Sequence, residues 1–267
     1  MATIYPVIIG YCFRHRHHTP CTRGGQSKKF RTSTLWRPWR KLVSASSTIE
    51  EAFSARSPQF ILFRDGLIVY RDDAFKKPYQ QVRLNKREFS AFYIHMQNTY
   101  GLPGLTPGRL NRELPYIKSV QKAVYNDNTR VSIWIGMHTP PSLHTFGMKL
   151  LQARSVNERL GPGWKGLYEL SQLLSVYIHT KAETYLPDRV EIAVQILPSY
   201  LADQADQAVA WSLKDVDLNE AKGKRMRGFK TLEGEAARQA YTFLTEHQIV
   251  KSDDTVFLVW VRPLILP

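Results

Sequence analysis

The sequence predicts an α+β fold: a mainly antiparallel sheet built from hairpins, with helices packed on one side, behind a basic N-terminal tail. Three observations predict it. Several β-prone runs alternate apolar and polar residues and are joined by short turns. Apolar stripes at helical spacing fall between those runs. Residues 1–49 carry nine Lys or Arg and no acid, the first acid being Glu50.

A chain of 267 residues with 43% hydrophobic residues has ample material for a core. The net charge of +14 is unevenly placed. Arg14, Arg16, Arg23, Lys28, Lys29, Arg31, Arg37, Arg40 and Lys41 give the tail +9, and the other 28 bases and 23 acids leave the rest at +5. High basicity is therefore mainly a property of the tail. The expected organisation is a disordered basic tail over 1–49 and one α+β domain over 50–267.

The elements follow in order. Phe60–Phe63 and Leu67–Tyr70 flank Asp65-Gly66, the pair favoured in a two-residue type I′ hairpin turn, and Pro58 stands where a strand can begin. Asn85 with Glu88 three residues on forms a capping box for a helix carrying Phe89, Phe92, Tyr93 and Met96, and Gly101 is placed to end it. Residues 101–108 are a loop by composition and the best place for a boundary if there are two domains. Ile117, Val120 and Val124 suggest a short helix.

A second hairpin follows, with Val131, Ile133, Ile135 and Met137 alternating before a turn at 139–142 and a return strand over 143–148. Trp164, Leu167, Leu170, Leu174 and Ile178 form one helical stripe. Val190, Ile192, Val194 and Ile196 mark a half-buried strand. Trp211, Leu213, Val216 and Leu218 are core anchors, and Ala237, Tyr241 and Leu244 mark a helix over 235–248. The run 256–261 is apolar on both faces and belongs inside the sheet.

The tail admits three readings: an organelle transit sequence, an arm that neutralises phosphates, or upstream sequence joined at the wrong start. Its low apolar content over 14–42 cannot offset ordering entropy. Cys12, His15, His17, His18 and Cys21 fit no usual zinc spacing. No run approaches the roughly 18 apolar residues of a membrane span, and no secretory signal is recognisable, so a soluble cytoplasmic protein is expected, or an organellar one if 1–49 is a transit sequence.

No motif specifies a reaction, and no cofactor or metal is expected. Gly161, Gly163 and Gly166 match the spacing of a dinucleotide loop, but no buried strand of the required kind precedes them, and a helix-start turn is the preferred reading. His95, His138, His144, Ser142 and His179 form no nucleophilic arrangement. Asp72-Asp73, Asp215 with Asp217, and Asp253-Asp254 read as turn carboxylates. The best nucleic-acid-binding candidate is a basic loop with Lys222, Lys224, Arg225, Arg227 and Lys230.

The runs at 60–70, 82–102, 210–218 and 232–240, with the closing segment at 259–267, resemble a scattered set of uncharacterised bacterial α+β proteins. These share an Asp-Gly hairpin, a Trp-x-Leu segment and a C-terminal Arg-Pro-Leu strand. The resemblance implies fold alone and assigns no activity or site residue. The expected function is a non-enzymatic binding or protein-interaction module. The alternatives are a nucleic-acid-associated protein using the tail and the 222–230 loop, or an enzyme of unknown class.

Overall fold

A computed structural model describes residues 7–13, 58–63, 65–71, 78–113, 129–135, 142–147, 160–213, 215–222 and 227–265. The fold is α+β, and among the described residues the strand pairs run antiparallel, with a short parallel pair between residues 209–210 and 250–251. Two compact units are each assembled from separated stretches: Met1–Pro58 with Ser90–Leu173, and Gln59–Phe89 with Leu174–Pro267. Residues 50–267, expected as one domain, contribute to both. The chain does not divide at the 101–108 loop. It passes between units at residues 58/59, 89/90 and 173/174.

In the first unit, β1 (Val7–Phe13) pairs antiparallel with β5 (Thr129–Ile135), which pairs with β6 (Ser142–Gly147). The second predicted hairpin is therefore present, with Ile133 fully buried. Strand β1 departs from the expected tail: seven residues assigned to disorder lie in a sheet. The physical reason is local, because Val7–Phe13 is a β-prone apolar run that precedes every cation of the segment. Residues 14–57 lie outside the described residues, as do the predicted helix at 117–124 and the turn at 139–141.

Helix α1 (Lys86–Tyr100) begins on the predicted capping box. Asn85 Oδ1 accepts from the Arg87 and Glu88 amides, and the Asn85 amide donates to Glu88 Oε2 at 2.9 Å. Gly101 ends it in the left-handed region at φ 63°. The following stretch, expected as a loop to 108, contains a 3₁₀ turn at Leu102–Gly104, and α2 (Pro107–Glu113) already starts at Pro107. Helix α3 (Pro162–Ser175) buries Trp164, Leu167, Leu170 and Leu174 as its stripe requires. Ile178 does not continue that stripe. The helix ends at Ser175, and Ile178 is 73% exposed.

The second unit holds β2 (Pro58–Leu62) from Gln59 onward, β3 (Leu67–Tyr70), β4 (Gln80–Arg83) and β7 (Glu183–Thr184), paired in that order. The β2–β3 hairpin is present, but its turn is not the two-residue type I′. The Gly66 amide donates to Phe63 O and the Phe63 amide to Leu67 O, so three residues make the loop and Gly66 is its left-handed member, at φ 82°. A Cβ at Gly66 would also lie 2.7 Å from the Leu84 carbonyl oxygen.

The unit's other sheet has the order β10-β8-β12-β11-β9: β8 (Arg189–Ile196), β9 (Val209–Ala210), β10 (Arg227–Glu233), β11 (Ile249–Ser252) and β12 (Thr255–Pro263). Strand β12 lies in the middle, as its apolar faces predict, and β9 pairs parallel with β11. Helices α4 (Leu218–Lys222) and α5 (Gly234–Glu246) pack on one face. There Val190, Ile192, Val194, Leu232, Val250, Phe257 and Val259 meet Leu218, Ala237, Ala240, Tyr241 and Leu244 in one core that also includes Val69, Tyr79, Leu213 and Val216. Each fully buried aliphatic or aromatic side chain contributes about 1.5–3 kcal/mol. Within this core the Tyr79 amide donates to the Tyr241 hydroxyl at 2.7 Å. On the other face, cross-strand ion pairs join Arg262 to Glu191 and Arg189 to Glu233.

Candidate functional site

The glycines at 161, 163 and 166 serve packing. A helix N-terminus presents amides to an anion, and in α3 that anion is the protein's own Glu113. The Gly163 amide donates to Glu113 Oε2, Arg109 Nε lies 2.6 Å from Oε1, and Trp164 Nε1 donates to Leu110 O at 2.7 Å. A Cβ would lie 2.5 Å from Glu113 Cβ at Gly161, from Glu113 Oε2 at Gly163, and from Tyr100 O at Gly166. Close approach of α2 and the end of α1 thus accounts for all three positions.

The predicted basic loop is partly regular structure. Lys222 ends α4, and Arg227 and Lys230 belong to β10, paired along its length with β8. Lys224 and Arg225 lie outside the described residues. Lys230 Nζ forms an ion pair with Glu220 at 2.9 Å, which partly neutralises the segment. Phe229, on the opposite side of the strand from Lys230, is 50% exposed.

The other sequence candidates have structural roles where they are described. Asp253, at φ 51°, and Asp254 form the two-residue turn between β11 and β12. Asp217 Oδ1 accepts from the Asn219 amide at the start of α4. His95 hydrogen-bonds Thr99 along α1. His179 stacks on Tyr177, its amide donates to the Tyr70 hydroxyl, and its Nδ1 accepts from the Lys181 amide. Tyr177 also packs edge-on against Phe60 and Tyr70, and burial pushes its phenol up to about 12. That cluster, with the Lys181–Glu88 ion pair, fixes the segment after α3. The Cys12–Cys21 cluster, Asp72-Asp73 and His138 lie outside the described residues, as do the side chains of Ser142 and His144. Among the described residues, no group of three His, Cys, Asp or Glu could hold a metal ion, and no helix is long and apolar enough to cross a membrane.

Sequence reasoning missed a cleft of about 690 Å³ beside α5. One wall is the outer stripe of that helix, Glu235, Arg238, Gln239, Thr242 and Glu246, and the other includes Leu186, Ser212 and Leu213. Helical periodicity builds the stripe: 3, 4, 7 and 11 residues after Glu235 all return near the same side. Phe243 and His247 also line it, their rings 5.2 Å apart, and Trp211 packs edge-on against Phe243. The Trp211 indole donates to Val216 O at 2.8 Å, which holds that ring in place. Arg238 is ion-paired to Asp188, and the Asp188 hydrogen bond raises its already high pKa. The signal available in the sequence was the polar side of the predicted helix; its opposite wall comes from residues far away in the chain.

Comparison with protein-family models, with curated proteins and with solved structures gave no match.

Proposed function

We propose that this protein is a non-enzymatic binding or protein-interaction module, with the α5 cleft as the surface that receives its partner. The observation that carries this reading is the composition of the cleft. Apolar Leu186 and Phe243 lie beside polar and charged side chains that face water. Leu186 is 51% exposed, and Arg238, Asp188 and Glu246 are also well solvated. Acid–base catalysis at neutral pH generally relies on desolvated groups with displaced pKa values. A solvated rim around partly exposed apolar side chains suits recognition better.

A photocrosslinking residue at Gln239, within the cleft, tests this in cells against the same residue at Asp254, on the β11–β12 turn. A discrete adduct from position 239 that is absent from 254 is expected. Equal yields from both positions, or none from 239, contradict the reading.

Phe229 favours a second reading, association with single-stranded nucleic acid through the basic segment. An exposed ring on the same strand as Lys230 suits base stacking beside a phosphate contact. The Glu220 carboxylate paired with Lys230 works against it.

A further inference from the structure

We infer that the α5 cleft takes a basic amphipathic helix, a ligand class that rests on the interaction reading above. The charges of the cleft point to it. Arg238, midway along α5, is matched by Asp188. Glu235 and Glu246 bracket it; Glu235 accepts a hydrogen bond from Gln239, and Glu246 lies 3.9 Å from His247. The lining therefore carries two carboxylates beside one cation already paired to Asp188, on a chain of net charge +14.

Spacing supplies the shape. Glu235 and Glu246 are 11 residues apart on one helix, which places them about 16 Å apart along the axis and within about 20° of the same side. A second helix lying along α5 repeats that geometry when it carries Lys or Arg at the same spacing. Its aliphatic side chains, one and two turns in from a cation, then face the exposed Leu186 and the half-buried Phe243 of the same lining. The cations meet the glutamates at the rim, where they set orientation and encounter rate more than affinity.

The test uses the intact chain and three labelled helical peptides of Ala and Gln. Each has two Leu between two charged positions spaced as Glu235 and Glu246 are. Those positions hold Lys in the first peptide, Glu in the second and Gln in the third. Fluorescence anisotropy should show the Lys peptide binding about tenfold more tightly than the Glu peptide, in keeping with two exposed ion pairs, and losing that advantage at high salt. The double variant Glu235→Lys/Glu246→Lys should reverse the preference. Leu186→Ser, a change at a half-exposed position, should weaken the Lys and Gln peptides alike. Thermal melts check that each variant is folded. The inference is overturned if the wild-type chain prefers the Glu peptide, if reversal leaves the Lys preference intact, or if no peptide binds. A discrete Gln239 adduct alongside such a failure leaves docking standing and rejects the basic helix. Failure of both experiments rejects docking itself.

Discussion

The carboxylate of Glu113 accepts the amide of Gly163, so a side chain of α2 occupies the anion position at the start of α3. The glycines around it differ in what they contact. A Cβ at Gly166 would meet the Tyr100 backbone carbonyl, which cannot move aside, whereas one at Gly163 would meet the movable end of Glu113. Gly166→Ala should therefore destabilise the fold more than Gly163→Ala, as urea unfolding will show. Glu113→Gln should cost about 1–3 kcal/mol by weakening a charge-assisted bond and the Arg109 pair. Equal effects of the two glycine changes would contradict this packing account.

Tyr241→Phe keeps the volume of a buried ring and removes the hydroxyl that accepts from the Tyr79 amide. Losing a hydrogen bond from a buried amide costs about 1 kcal/mol. Chemical denaturation should show that loss with an unchanged slope against denaturant.

Asn85→Ala removes the acceptor for the first amides of α1 and should cost about 1 kcal/mol. The Asn85 amide and then the Lys181 ammonium hold the Glu88 carboxyl below its usual range. Its stabilisation is therefore present above the unfolded value near 4.5 and is lost as pH falls through the lower folded value. Glu88→Gln should flatten that acid limb of a stability-versus-pH curve.

At the alkaline end the sign reverses. Burial keeps Tyr177 neutral, with its pKa pushed from 10.0 up to about 12. The stabilisation it contributes is complete below 10 and disappears as pH rises toward 12. Phenolate absorbance should show a late-titrating tyrosine that Tyr177→Phe removes.

How legible the fold was depended on whether the signal was local. The Asn85–Glu88 box, the α3 stripe, the alternation of β8 and the central place of β12 rest on short-range patterns, and all are present. Strand β10 was hidden because Leu232 is its one buried apolar residue and Lys230 finds its partner, Glu220, on α4. Strands β7 and β9, of two residues each, are too short to show a period. Ile178 misled because a stripe records spacing and not where a helix stops. The cleft had no local signature, since Leu186, Leu213 and α5 meet only through the tertiary fold.

Amide hydrogen exchange of the intact chain, with and without the two-lysine peptide, tests recognition at α5 most directly. Added protection should appear across residues 234–247 while β10, at 227–233, exchanges unchanged. Protection confined to β10, or absent from both segments at saturating peptide, would contradict it.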